Sequence, residues 1–485
     1  MFSMKKAFLA ATLSALAVAA VNASGSQAEP AGGAAAAKAP VTLRMFAQGV
    51  TPGVDRGLAT LPKLTEMARL ATEYKKLNPH VTIEYVELPV MNPQEYMSWI
   101  VTQSLGGSIP DIVWAHATEL EAYSTNGWFV DLRPYLEKPN KYVTGNTRWM
   151  DLFGDKILST RMSSTGKLWS LPTDMVATAI FYNKDIFDKF GLKAPKTWAE
   201  FMAVSKKLKD SGVTPLLFDM SNTTHFSWSF RTLLSYYYED QLPQIDVLPK
   251  DDIVSAEEFA RAVKKGIVDA KSERHQEIFK LYDEWKNYFQ EGFLAAPTPG
   301  MFERGQTAMW WGGIFNLLAL EMNPDRKFNY STFYFPPVTA ATSKFITKEV
   351  PVRMIGGAAG VQFAVTKSAM DKKAVDQAVD FLQFITTPEN NGAVYAEAKT
   401  TVPIVIGAKA PDMFKSFMEQ SKNGISTFIL ERYTNAEQKD LWLSSIQLYL
   451  TGKYNLAKVS EEMQKMYMSA ADTLIAANKY DQGKW

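Results

Sequence analysis

The sequence predicts an α/β protein built as two lobes, and three observations predict it. Strand-like and helix-like segments alternate from residue 41 onward, the pattern of parallel strands joined through helices that cover the sheet. At 485 residues the chain is too long for one typical domain. No Pro/Gly-rich linker divides it near the middle, which suggests two lobes between which the chain crosses more than once.

The elements follow in order. Val41–Phe46 alternates apolar and polar residues like a strand. Leu64, Met67, Ala68, Ala71 and Tyr74 recur at helical spacing within 61–77, and Asn78-Pro79 stops that helix. Residues 81–86 form a second strand, 96–105 a helix ended by Gly106-Gly107, and 110–114 a third strand. The pattern resumes with a strand at 179–182. A helix over 198–208 has Thr197 as N-cap and Glu200 at the capping-box position. Residues 213–218 are a strand, 255–290 are helix-rich, 307–311 are short and apolar, and 360–365 alternate. Within 371–386 the residues Ala374, Ala378, Phe381, Leu382 and Ile385 make one apolar helical stripe. The tail from 436 to 479 is nearly all helix.

Composition excludes several functions. Lys plus Arg total 52 against 51 Asp plus Glu, and no basic run occurs, so no nucleic-acid partner is expected. The absence of cysteine removes disulfides, thiolate metal sites, cysteine nucleophiles and the acylated cysteine of a lipoprotein. His80, His116, His225 and His275 are too far apart in sequence to form a local metal pair, and no metal or cofactor is expected. Neither G-x-G-x-x-G nor G-x-S-x-G occurs. Thr165-Gly166-Lys167 is not a phosphate loop, since Arg161 stands where its leading glycine belongs. A glycosidase pair is defined by the spatial separation of two carboxylates, so a carbohydrate-cleaving enzyme stands as the alternative from another class.

The N-terminus reads as an address. Lys5 and Lys6 precede an apolar run over 7–20, and Val21-Asn22-Ala23 and Ser26-Gln27-Ala28 both suit cleavage, so residues 1–28 read as a signal peptide. Residues 29–40 (EPAGGAAAAKAP) form a flexible leader. No later stretch has 18 apolar residues in a row, so the expected product is exported, soluble and periplasmic.

Five ordered stretches carry a resemblance. They are Pro110-Asp-Ile-Val-Trp-Ala-His116 with Gly127-Trp-Phe-Val-Asp-Leu132; Gly166-Lys-Leu-Trp-Ser-Leu-Pro172 running through Phe181-Tyr-Asn-Lys-Asp-Ile-Phe187 and Gly191-Leu192 to Pro195-Lys-Thr-Trp-Ala-Glu-Phe201; Phe302 with Gly305-Gln-Thr-Ala-Met-Trp-Trp-Gly-Gly313; Gly356-Gly357 with 361–365 and 378–388; and Leu450-Thr-Gly-Lys453. In this order they resemble the family-1 extracellular solute-binding proteins, the maltose and oligosaccharide type that serves ABC importers. The resemblance implies a type II-like periplasmic binding protein, with a mostly parallel sheet in each lobe and the ligand cleft between lobes. It places an N-lobe at 41–176 plus 353–407 and a C-lobe at 177–352 plus 408–485. It further implies a carbohydrate ligand, lobe closure, permease subunits as partners, and a monomer. An exported sensor partner without transport is a further reading.

The same resemblance nominates ligand-binding residues. Trp114 ends a strand and faces the cleft, where a ring suits the apolar face of a pyranose. Glu119 follows in the next loop. Asp174, after Leu-Pro-Thr, suits paired sugar hydroxyls, because one carboxylate accepts two donors. Phe315 stands where the family stacks a Trp, with Trp311 beneath it and Asn316 beside it. Gly312 and Gly313 allow close backbone approach, and Gly357 plays that part at another crossing. Trp228, Arg231 and His225 form an aromatic-polar cluster on the C-lobe wall; Gln48 and Trp442 complete the set. The maltose-binding member carries an Asp-Arg pair just after its Trp-Ala-His. Ala117 and Thr118 occupy those places here, which counts against maltose.

Overall fold

The computed structural model describes residues 38–485 apart from 55–60, 90, 92, 116–119, 121–122, 124–125, 155–156, 159–160, 164–165, 222, 249–252, 353–354, 357–359, 415–416 and 418–426. The expected signal peptide, most of the leader, Glu119 and Gly357 lie outside the described residues.

Two sheets carry residues 40–485. The first draws on β1 (Val41–Phe46), β2 (Val81–Tyr85), β3 (Ile112–Trp114) and β4 (Leu171–Pro172). A short β5 (Asp174–Met175) leads on to the second sheet, which holds β6 (Ala177–Asn183), β7 (Leu216–Leu217), β8 (Met309–Gly313), β9 (Tyr330–Phe333) and β10 (Ile355–Gly356). The chain then returns to the first sheet as β11 (Gln362–Val365), and β12 (Val402–Pro403) pairs with β5. The first sheet has the order β2-β1-β3-β11-β4; in the second, β6 lies between β8, with β7 beyond it, and the edge formed by β9 and β10.

Strand direction departs from the expected mostly parallel sheets in an orderly way. β1 runs parallel to β2 and to β3, and β7 parallel to β8. β11 opposes β3 and β4, and β6 opposes β8, β9 and β10. So in each sheet one strand runs against all the others. Strands joined by a crossover within one sheet return in the same direction. β6 and β11 instead arrive directly from the other sheet, enter from the facing end, and oppose their neighbours. They sit inside their sheets, which makes the pairings around them antiparallel.

Ten longer helices flank the sheets: α1 (Glu66–Leu77), α2 (Pro93–Gly106), α3 (Trp198–Asp210), α4 (Thr223–Tyr237), α5 (Ala256–Lys264), α6 (Glu273–Trp285), α7 (Val375–Ile385), α8 (Pro388–Ala398), α9 (Ala436–Leu450) and α10 (Leu456–Asn478), counted among the described residues. Period-two alternation gives each sheet two buried faces. Leu43, Met45, Ile112 and Phe363 pack with Met67 and Leu70 of α1 and Phe381 of α7, whereas Val113 and Ala364 face Tyr96 and Ile100 of α2. In the second sheet Ala177, Ala179 and Phe181 face Phe302 and Leu317, while Ile180 and Trp311 join Trp198, Trp285 and the helical tail.

Local chemistry sets the element ends. The Thr197 hydroxyl accepts from Glu200 N at 3.2 Å, as the cap predicts, but the Glu200 carboxylate accepts from Lys196 N at 2.7 Å, one residue beyond the box. The strand expected over 213–218 contracts to Leu216–Leu217. Pro215 has no N–H to donate, and Phe218 N donates to Gln290 Oε1 at 2.8 Å instead of to a neighbouring strand. The helix expected over 371–386 starts at Val375, after Lys373 takes a left-handed φ of 56°.

Candidate functional site

The first candidate wall forms where β1 and β3 end. Phe46 closes β1, Trp114 closes β3, and Tyr96 and Trp99 come from the start of α2. Tyr96 lies 4.9 Å from Trp114, 5.6 Å from Phe46, and stacks on Trp99 at 5.6 Å between ring centres. Tyr96 is buried, while Phe46, Trp99 and Trp114 are half-buried. The Trp114 ring is held by its Nε1, which donates to Gly360 O at 2.6 Å, and the Tyr96 hydroxyl donates to Trp114 O. Gln48 follows in a short turn. It is exposed, and its φ of 49° lies in the left-handed region that favours glycine. Its Oε1 accepts from Gly49 N at 2.8 Å.

The second wall forms where β8 ends. Gly312 and Gly313 lead into a turn over Ile314–Asn316. Asn316 Oδ1 accepts from Gly313 N at 3.1 Å, which fixes that turn. The expected close approach to glycine is present, and side chains of this same segment make it. A Cβ on Gly313 would collide with the Phe315 ring, and one on Gly312 would come within 2.9 Å of the Trp310 ring. Phe315 is 41% exposed, Trp310 is half-buried, and Trp311 is fully buried beneath. Trp311 Nε1 donates to Thr178 Oγ1 at 3.1 Å, and its ring stacks on Phe335 at 4.8 Å. From α4 the half-buried Trp228 reaches within 6.4 Å of Trp311 and 5.5 Å of His225. His225 Nδ1 accepts from Asp219 N at 2.9 Å, and burial pushes its pKa down to about 4, so the imidazole is a neutral acceptor at pH 7.

Three nominated residues sit elsewhere than expected. Trp442 is 2% exposed and packs edge-on against Phe226 at 5.0 Å and Phe230 at 4.8 Å. It belongs to the core that α9 shares with α4, α6 and α10. Arg231 is also buried, on the side of α4 that faces Tyr433, so its guanidinium is no part of the exposed wall. Asp174 is fully buried in β5, between the two sheets. Its Oδ1 accepts from Val361 N at 2.7 Å, and burial raises its pKa to about 7. In this arrangement it presents no surface to a sugar hydroxyl.

Phe46, Tyr96, Trp99 and Trp310 were not singled out from sequence. The signal for Tyr96 and Trp99 is their i, i+3 spacing, which puts both rings on one helix face. For Trp310 it is strand alternation, which sends it opposite to Trp311.

Glycine substitutions give a first prediction. Phe315 is exposed enough to swing aside, so Gly313→Ala is expected to cost under about 1 kcal/mol while displacing that ring. At the half-buried Gly360 a Cβ would meet Val176 Cγ2 at 2.6 Å and the fully buried Asp174 at its Oδ2 at 3.3 Å. Gly360→Ala is expected to cost about 1–3 kcal/mol. Urea unfolding of both variants checks the order, and equal costs would contradict it.

Relatives share this architecture. RafE from Streptococcus pneumoniae in its apo form superposes with a TM-score of 0.63 at 18% identity, over 90% of this chain and 100% of that one. A chitin oligosaccharide binding protein superposes with a TM-score of 0.64 at 20% identity, over 89% of this chain and 99% of that one. In sequence, 145 residues (30% of this chain) are 25% identical to the putative ABC transporter periplasmic-binding protein YcjN of Escherichia coli (strain K12). Another 22% identity extends over 153 residues, or 31% of this chain, with the multiple sugar-binding protein of Streptococcus mutans serotype c. These matches span only 31% and 32% of the two relatives' own lengths. Residues 59–392, well over half of the chain, match one family throughout: the chain belongs to the bacterial extracellular solute-binding proteins, which are binders and not enzymes.

Proposed function

We propose that this protein is exported to the periplasm, captures a neutral saccharide between its two lobes, and delivers it to the permease subunits of an ABC importer. One observation carries the reading: half-exposed aromatic rings edge the strand ends of both sheets, Phe46, Trp99 and Trp114 on one and Trp228, Trp310 and Phe315 on the other. Flat rings suit the apolar C–H faces of pyranoses, and open α/β sheets bind ligands beyond the carboxyl ends of their strands. The names of relatives support it, since RafE has been seen with raffinose and other superposing proteins with stachyose or as chitin oligosaccharide binders. In this reading Gln48, Trp114, Trp228, Phe315 and Asn316 touch the ligand, and Trp311 backs them. The lobes are 41–176 with 353–407 and 177–352 with 408–485, and the working unit is a monomer. Closure from 1:99 to 99:1 requires the ligand to prefer the closed state by about 5.5 kcal/mol.

A second reading has its own support. A stretch of 66 residues, 13% of the chain, is 39% identical to the sn-glycerol-3-phosphate-binding periplasmic protein UgpB of Brucella abortus. A thermal-shift screen separates the two. Raffinose, stachyose or a chitin oligosaccharide at 100-fold its Kd is expected to add about 2.7 kcal/mol of stability. A melt moved by sn-glycerol 3-phosphate and by none of the sugars would reverse the assignment.

A further inference from the structure

His225 stands in the first turn of α4, just beyond the carboxyl end of β7. β7 runs parallel to β8, so the loop between β7 and α4 opens at the same edge of the sheet as the Gly312–Asn316 turn. Open α/β sheets hold their ligands at that edge. The imidazole is half-buried, with its centre 5.4 Å from the Phe218 ring and 5.5 Å from the Trp228 ring of the second wall.

Its two nitrogens are in different situations. Nδ1 accepts from Asp219 N at 2.9 Å, so the neutral ring carries its proton on Nε2. Nε2 makes no hydrogen bond to any described residue. A half-buried N–H of this kind gains from an acceptor, because polar groups withdrawn from water are almost always paired. The ring also resists becoming a cation. A second proton would sit on Nδ1, against the Asp219 N–H, and would break the bond that ties the loop to α4. Burial acts in the same sense and holds the pKa at about 4, against the opposing pull of the Asp219 carboxylate. Asp219 is the charged group that acts on this ring among the described residues, since Phe218 and Trp228 bring no charge. An anionic ligand atom would meet a donor that does not charge and a carboxylate close by. A hydroxyl or ring oxygen needs only the N–H.

We propose that His225 is a specificity-determining residue of the second wall: its Nε2–H donates to an uncharged oxygen, a hydroxyl or ring oxygen, of the captured saccharide. Asp219 is its positioning residue, through the backbone N–H that fixes which nitrogen carries the proton. The inference rests on the saccharide reading above and adds to it the group that favours a neutral ligand over a phosphate.

Two substitutions separate a donor from a prop. In His225→Asn the amide oxygen lies where Nδ1 was and keeps the Asp219 bond, but nothing reaches the Nε2 position. In His225→Gln an amide N–H reaches that position and Asp219 N loses its acceptor. Titration calorimetry uses whichever of raffinose, stachyose and a chitin oligosaccharide moves the wild-type melt most. His225→Asn is expected to lower that affinity about tenfold with a wild-type melting temperature. His225→Gln is expected to keep most of the affinity and to melt lower. Wild-type affinity should be the same at pH 5.5 and pH 8. The opposite order, with Asn binding like wild type and Gln binding more weakly, makes His225 a prop and overturns the proposal. An affinity that rises at pH 5.5 in wild type and not in His225→Asn overturns it too, because the donor is then charged. Equal affinities in all three proteins remove the donor role and leave sugar capture intact. Wild type that binds none of the three sugars fails the capture reading, and the donor role falls with it.

Discussion

Asp174→Asn is expected to raise unfolding stability by about 2–4 kcal/mol at pH 8 and to change it little at pH 4. The carboxyl is fully buried, and burial outweighs the Val361 N–H bond to put its pKa at about 7. In the unfolded chain the same group titrates near 3.9. Between these values the native state holds a proton that the unfolded state has released. Stability due to this group is therefore full below about pH 4 and is lost as pH rises through 7. Asparagine keeps an oxygen for Val361 N and has no charge to bury. The opposite slope comes from His275, which is buried between Tyr238 and Tyr467 with its pKa pushed down to about 3 by burial. Its share of stability rises with pH up to its unfolded value of about 6.5. Subtracting the urea-unfolding profile of Asp174→Asn from that of wild type cancels the histidine and isolates the carboxylate. A flat difference from pH 4 to 8 would mean that Asp174 is solvated in solution.

Trp311→Ala is expected to cost about 3–5 kcal/mol, the range for removing a large buried aromatic. Its ring contacts Phe335, Trp285 and Phe218 in the second sheet's core, and its Nε1 satisfies Thr178. Trp228 leans on it from the exposed side, so saccharide affinity should fall with stability. Trp311→Phe should recover most of the stability, since it refills the volume and loses only the Thr178 bond. Denaturant midpoints of the two variants check this. A ring serving only the ligand would leave them unmoved.

Much of the fold was legible in the sequence. Period-two strands at 41–46 and 362–365, the apolar stripe of α7, the Thr197 cap and the breaks at Asn78-Pro79 and Gly106-Gly107 are local statements, and local sterics enforce them. The family was legible too, because its motifs recur in order over most of the chain. Candidate residues were legible in part. Trp114 stands at the end of β3, Phe315 and Asn316 in the turn after β8, and Trp228 on α4, whereas Phe46, Tyr96 and Trp99 assemble around Trp114 only after distant segments fold together.

By itself the sequence determined the order of strands and helices and the α/β class, and suggested that two lobes share one chain. Only the tertiary structure decided that Trp442 and Arg231 are core, that Phe315 covers Gly313, that β6 and β11 oppose their sheets, and that Asp174 is sealed between the two sheets. The reason is physical. Backbone periodicity and capping are properties of neighbours in sequence. Burial, strand direction and the pKa of an acid depend on what arrives from elsewhere in the chain.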